Sequence, residues 1–304
     1  MVLTVDTSET HHTKYDLYLI DHFAKMADPI FENNEYASIY AGKALELAKE
    51  YPFLMHAMIA LAACHLQHIG VDARCFRLPE AFHCQLASQG LRNAVSSING
   101  VKEADSVLTT AMLLNCLTFC AADYRDEDQS VANAPRWNWL RIQIGITGLL
   151  TRTRPFHPKS VWLPLFQASE RLQITDDPEN DLDERLAKFC SIGPESTSEN
   201  NPYLDFFKLL APLVTRAPSI DNVHLYINAV RAISPSFIDL LEAQDTRALM
   251  LFTHWAALMG VIGSWWSKRR IRGACAAVCD ILKNKLDEAD IVLLELPIRS
   301  CRRL

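Results

Sequence analysis

Residues 52–70 read PFLMHAMIALAACHLQHIG. At roughly 3.6 residues per turn the stretch makes about five helical turns. It is apolar on nearly every face, and Ala57, Ala60, Ala62 and Ala63 let neighbouring helices approach closely. A helix apolar all round belongs in the middle of a bundle rather than on its surface. His56, His65, Gln67 and His68 interrupt it, so it falls short of the ~20 clean apolar residues that a membrane span needs. Residues 52–70 are therefore expected to form the central helix of an all-α domain.

Similar patterns flank it on both sides. Residues 15–26 place Leu17, Ile20, Phe23 and Ala24 on one stripe and are expected to stop at Asp28-Pro29, because the residue before a proline disfavours the helical region. Helices are expected over 37–50, over 80–98 up to the Asn99-Gly100 turn, and over the largely apolar 104–122. Residues 123–136 read as an acidic loop, and 137–150 as a helix in which Gly145 and Gly148 mark close packing. Further helices are expected over 203–213, 222–233, 236–242 and 272–286, with a third long buried one over 245–267, N-capped by Asp245. No β-alternation of useful length occurs, so the expected fold is a single all-α bundle of about ten helices. It runs over 15–286, after a loose leader (1–14) and before a tail (287–304), with an acidic linker near 170–202.

The 304 residues are 49% hydrophobic and 22% charged, the balance of an ordinary globular chain. A net charge of -6 gives no global basic field to draw nucleic acid. Nine scattered cysteines contain no CxxC, and the i,i+4 pairs Cys116/Cys120 and Cys275/Cys279 read as core thiols, which suits a cytoplasmic or nuclear compartment. No GxSxG, HExxH, P-loop or dinucleotide fingerprint occurs, and no cofactor is expected. The run Asp176-Asp177-Pro178-Glu179-Asn180-Asp181 is a weak match to an aspartate-rich magnesium motif, but Pro178 breaks it. Basic groups cluster at Lys268, Arg269, Arg270 and Arg272, and these read as a solvated face.

The three buried helices each carry isolated polar groups: His56 and His65, then Asn115 and Thr118, then Thr253 and His254. A ligand pocket needs apolar walls with a few placed polar groups, so these residues are the candidate ligand contacts, against the plain alternative of core polar groups satisfied locally. Trp137, Trp139, Trp255, Trp265 and Trp266 are the candidate aromatic walls for a flat or polyene ligand, against the alternative of core packing.

Several stretches together resemble the C-terminal regulatory domain of fungal zinc-cluster transcription factors, the class that includes the sterol uptake control proteins. They are YDLYLIDHF at Tyr15, EYPFLMHAMIALAACHL at Glu50, HCQLASQGLRNAV at His83, WNWLRIQIGITGLLTRTRP at Trp137, KSVWLPLF at Lys159 and FTHWAALMGVIGSWWSKRR at Phe252. The resemblance implies an all-helical, dimerising domain that holds a hydrophobic ligand. The family's DNA-reading cluster of six cysteines has no counterpart here, so direct nucleic-acid binding by this chain is not expected, nor is a membrane span. Either the chain is an excised regulatory domain, or it is a free-standing member with another job. The expected function is a regulator-type domain, a homodimer, binding a sterol-, terpenoid- or polyketide-like molecule in a buried pocket. The alternative is the same fold recruited as a cofactor-free enzyme of specialised metabolism, catalysing a pericyclic cyclisation by orientation and hydrogen bonding. A third reading is an interaction protein that dimerises with a full-length factor and blocks it.

Overall fold

A computed structural model describes residues 13–31, 38–70, 73–120, 137–170, 181–216, 223–260 and 264–302. Among them there is no strand, and the fold is all-α. The helices are α1 (Lys14–Phe31), α2 (Leu45–Glu50, entered through a π turn at Ile39–Ala44), α3 (Pro52–His68), α4 (Ala73–Ala94), α5 (Val101–Phe119), α6 (Asn138–Thr153) and α7 (Leu163–Glu170). Then follow α8 (Leu182–Phe189), α9 (Leu204–Val214), α10 (Val223–Ala229), α11 (Pro235–Glu242), α12 (Thr246–Met259), α13 (Lys268–Lys283) and α14 (Glu295–Arg302). The chain divides into two compact units: Met1–Leu117 with Phe156–Val161, and Thr118–Pro155 with Trp162–Leu304.

In the first unit, α3 is the centre. Ala57, Ala60, Ala62 and Ala63 are all fully buried, as the all-round apolar pattern requires. Pro52 stands in the first turn, where its missing N–H costs nothing, and Gly70 ends the helix at φ 81, a conformation that favours glycine. α4 lies along α3 so closely that a Cβ at Gly90 would sit 2.4 Å from Phe53 Cβ. α1 packs on α3 through Leu19, Phe23 and Met26, whereas Leu17 is 56% exposed, so the buried stripe is turned from the one expected. α1 runs on through Pro29 and α4 contains Pro79, so neither proline is a stop. The short return segment 156–161 belongs to this unit and is tied to α5: Asp105, 2% exposed, accepts from Ser160 Oγ and, at 3.1 Å, from Val161 N–H.

In the second unit, α12 has the central place. Every residue from Ala248 to Met259 is buried, and α9, α10, α11, α13 and α14 pack on it. Asp245 caps it as expected, accepting the Ala248 N–H at 2.9 Å. The helix stops at Met259, well short of 267, with Gly260 as C-cap. Residues 181–202, expected as linker, contain α8, and residues 287–302, expected as tail, contain a 3-10 turn and α14. Gly145 and Gly148 do not mark close packing, since a Cβ on either would meet nothing within 4 Å. Arg270 is not part of a solvated patch: it is 6% exposed and its Nε donates to the Phe119 carbonyl at 3.0 Å, a cation at the C-terminus of α5. The acidic loop 123–136 and the aspartates 176–180 lie outside the described residues.

Candidate functional site

In the first unit two histidine pairs join three helices. His56 and His65 are nine residues apart, about half a turn out of phase on α3, so they face opposite ways and cannot line one pocket. His56 Nδ1 lies 2.9 Å from His83 Nδ1 of α4, and His83 Nε2 lies 3.3 Å from Asp16 Oδ1 of α1. His65 Nδ1 lies 2.9 Å from His22 Nε2 of α1, with the two rings stacked at 5.1 Å. Each pair is one N–H···N bond, which needs at least one lone pair and hence at least one neutral ring. Burial, then the charges of His22 and His68, push His65 down to about 4. Burial also lowers His22. Asn115 is buried on α5 of the same unit.

A pH dependence follows. The unfolded chain protonates His65 near its ordinary 6.5, the folded chain only near 4. Between those values the unfolded state binds more protons, so stability falls as pH drops through the window. With a discount for partial exposure the loss is about 1–2 kcal/mol. Urea unfolding at about pH 7 and about pH 4.5 measures it, and His65→Gln is expected to flatten the difference. An unchanged difference in that variant would show that other groups carry it.

The second unit holds Thr118, Thr253, His254, Trp255, Trp265 and Trp266. Thr118 Oγ1 accepts from Gln143 Nε2 at 3.3 Å. Thr253 and His254 are fully buried: Thr253 Oγ1 sits 3.5 Å from both Cys275 Sγ and Cys279 Sγ, and His254 Nδ1 donates to the Met250 carbonyl at 2.9 Å. Burial holds the His254 imidazole in its neutral form. Trp255 Nε1 donates to the Tyr226 carbonyl at 2.8 Å. These three residues take part in the packing of α12.

Around them the rings form one connected cluster. Trp255 stacks on Trp139 at 6.3 Å, Phe252 meets Trp137 edge-on at 4.6 Å, and Phe119 bridges Trp139 and Trp266 at 5.0 and 5.1 Å. Among the described residues, Trp266 Nε1, at one edge of this cluster, and Ser267 Oγ, next to it in the chain, are buried with no hydrogen-bond partner. Trp266 is 8% exposed and Ser267 fully buried. Ser267 is the N-cap of α13, yet it takes helical backbone angles and its side chain caps nothing. Buried donors without partners are uncommon and each costs about 1–3 kcal/mol. Phe119, Phe252 and Ser267 complete the site and were not legible from the sequence, where Phe and Ser carry no signal of convergence.

Among the described residues no cluster of three or more His, Cys, Asp or Glu has the geometry of a metal site. Cys275 and Cys279 are buried core thiols, and burial raises Cys116 to about 12, which keeps it a protonated thiol. No described helix is long and apolar enough to cross a membrane.

Comparison with known proteins agrees with the architecture. A Zn(2)-C6 fungal-type transcription factor, afumD of Aspergillus fumigatus (strain CBS 144.89 / FGSC A1163 / CEA10), is 25% identical over 226 residues, covering 68% of this chain and 57% of that protein. The chain thus spans a little over half the length of the relative it matches. The family model for the fungal specific transcription factor domain matches residues 16–176, more than half of the sequence, from the first turn of α1 past the end of α7. The chain belongs to the fungal specific transcription factor domain family.

Proposed function

We propose that this chain is a regulator-type helical domain that receives a hydrophobic small molecule bearing a hydrogen-bond acceptor, at the Trp266 end of the aromatic cluster. The observation that carries this reading is the pair of buried donors, Trp266 Nε1 and Ser267 Oγ, without partners among the described residues, with Trp266 beside the Phe119–Trp139–Trp255 rings. A sterol-, terpenoid- or polyketide-like ligand supplies a flat apolar body for the rings and a hydroxyl or carbonyl oxygen for the donors. The similarity to a zinc-cluster transcription factor supports a regulatory rather than a structural role, with occupancy of the site setting the association state of the domain, a homodimer. Such a domain acts in the nucleus or the cytoplasm.

Titration of the purified chain with ergosterol and with an aromatic polyketide, followed by tryptophan fluorescence, tests the proposal. Saturable quenching is expected with one of them. Trp266→Phe and Ser267→Ala are each expected to weaken it about tenfold, the worth of one hydrogen bond in a dry site, with the helical circular dichroism intact. Equal affinity in both variants would place the ligand elsewhere. Mass spectrometry of the same mixtures reads the catalytic alternative: an isomer of unchanged mass, in excess over protein, would replace the regulator reading.

A further inference from the structure

The second unit also contains a cleft of ≈ 640 Å³ that the aromatic cluster does not share. One wall is the last turn of α8, another the first turn of α12, and the third the loop that follows α13. Four cations line it, Arg185, Lys188, Arg247 and Lys285, against two carboxylates, Asp287 and Asp290. We propose that this cleft is a binding site for a small metabolite carrying two or more negative charges, a phosphate ester or a di- or tricarboxylate.

The cations are gathered without being neutralised. Arg247 Nε donates to the Phe189 carbonyl at 3.0 Å and Lys285 Nζ to the Gln244 carbonyl at 2.7 Å. Both are neutral acceptors at the ends of helices, so they fix the side chains; the Arg247 guanidinium also meets the Tyr203 hydroxyl, and its remaining N–H groups and two ammonium protons of Lys285 are left for a ligand. Among the described residues neither of these two cations nor Lys188 makes an ion pair, and Arg185 reaches only the exposed Asp181, at 3.9 Å. Two carboxylates here, Asp287 and Asp245, accept hydrogen bonds within the fold. Asp287 Oδ1 accepts the Asp290 N–H at 2.9 Å, and Asp245, at the mouth of α12, accepts from Ala248 N–H and from the Tyr203 hydroxyl. The cap leaves the Thr246 and Arg247 amides at the positive end of a fourteen-residue helix, on the same wall as Arg247.

Gathering like charges in a cleft costs free energy unless an anion offsets it. The volume is that of a metabolite pocket, roughly 300–1,000 Å³, and far exceeds what inorganic phosphate fills. The ligand therefore has an organic body. This site stands independently of the hydrophobic ligand proposed above, since it shares no residue with it.

The test is calorimetric titration of the full chain with glucose 6-phosphate and with citrate, at an ionic strength near 0.1 M so that diffuse attraction is screened. Saturable one-site binding of either is expected, and which one binds identifies the anion chemistry. Lys188→Gln combined with Arg185→Gln, two side chains that hold no other helix in place, is expected to weaken it at least tenfold. Asp287→Asn is expected to strengthen it severalfold. No saturable heat from either compound, or equal affinity in the double variant, would overturn the proposal. The double variant's unfolding midpoint, expected unchanged, separates a lost ligand from a lost fold.

Discussion

Replacing Phe252 by alanine is expected to cost about 3–5 kcal/mol, the range for deleting a buried aromatic ring. Phe252 is fully buried on α12 and touches Trp137, Trp139 and Trp255, with ring centroids at 4.6, 6.4 and 5.5 Å. Three rigid indoles surround it, and none can swing into the space a methyl group leaves. The cavity term therefore stays near its full value, and edge-on contacts worth about 0.5–1.5 kcal/mol each vanish with it. Domains of this kind are stable by only about 5–15 kcal/mol, so much of the margin goes. Urea unfolding read by tryptophan fluorescence measures the change, and Phe252→Leu should lose only part of it. A cost below about 1 kcal/mol would mean the ring cluster is loosely packed.

The second large effect belongs to the first unit. Asp105→Ala is expected to cost about 2–4 kcal/mol, because it removes a largely buried acceptor of the Ser160 hydroxyl and the Val161 N–H. The Ser160 hydroxyl can turn, but the Val161 N–H cannot. The charge itself contributes little. Burial raises the Asp105 carboxyl above its ordinary range, and the bonds from Ser160 and Val161, then the Lys43 charge, offset that only in part. Ionising a buried acid whose folded value is raised weakens the fold as pH rises through that value. Asp105→Asn keeps an acceptor for Val161, lets the serine hydroxyl accept instead of donate, and removes the buried charge. It is expected to lie within about 1 kcal/mol of the native chain. If asparagine were as damaging as alanine, the carboxylate charge rather than the acceptor geometry would be what holds the segment.

The centres of the two units are legible in the sequence because both α3 and α12 are apolar on every face, which only a surrounded helix tolerates. Asp245 was legible as a cap because its short side chain stands just before an apolar run. Helix ends were less so wherever proline intervened. Pro29 and Pro79 both sit inside helices, where each forgoes one backbone bond. The polar partners were not legible. His56 and His65 stand out on an apolar helix, but His83 and His22 lie 27 and 43 residues away on amphipathic helices where a histidine draws no notice. Trp266 was visible as an aromatic, while its unsatisfied N–H is a property of the packed structure alone. The cationic cleft was hidden twice over: its four cations are dispersed between 185 and 285, and α8 lies in a stretch whose acidic composition points to a solvated linker.

The return of residues 156–161 to the first unit bears on how such a chain can be rearranged by recombination. A single crossover between two relatives exchanges everything on one side of a breakpoint. Placed after Leu117, it would give Asp105 a stranger's serine and a stranger's backbone at 160 and 161. Placed after Val161, it would carry over α6 and its aromatic residues as well. An intact first unit moves between relatives only through three breakpoints, so no single crossover exchanges one unit and leaves the other whole.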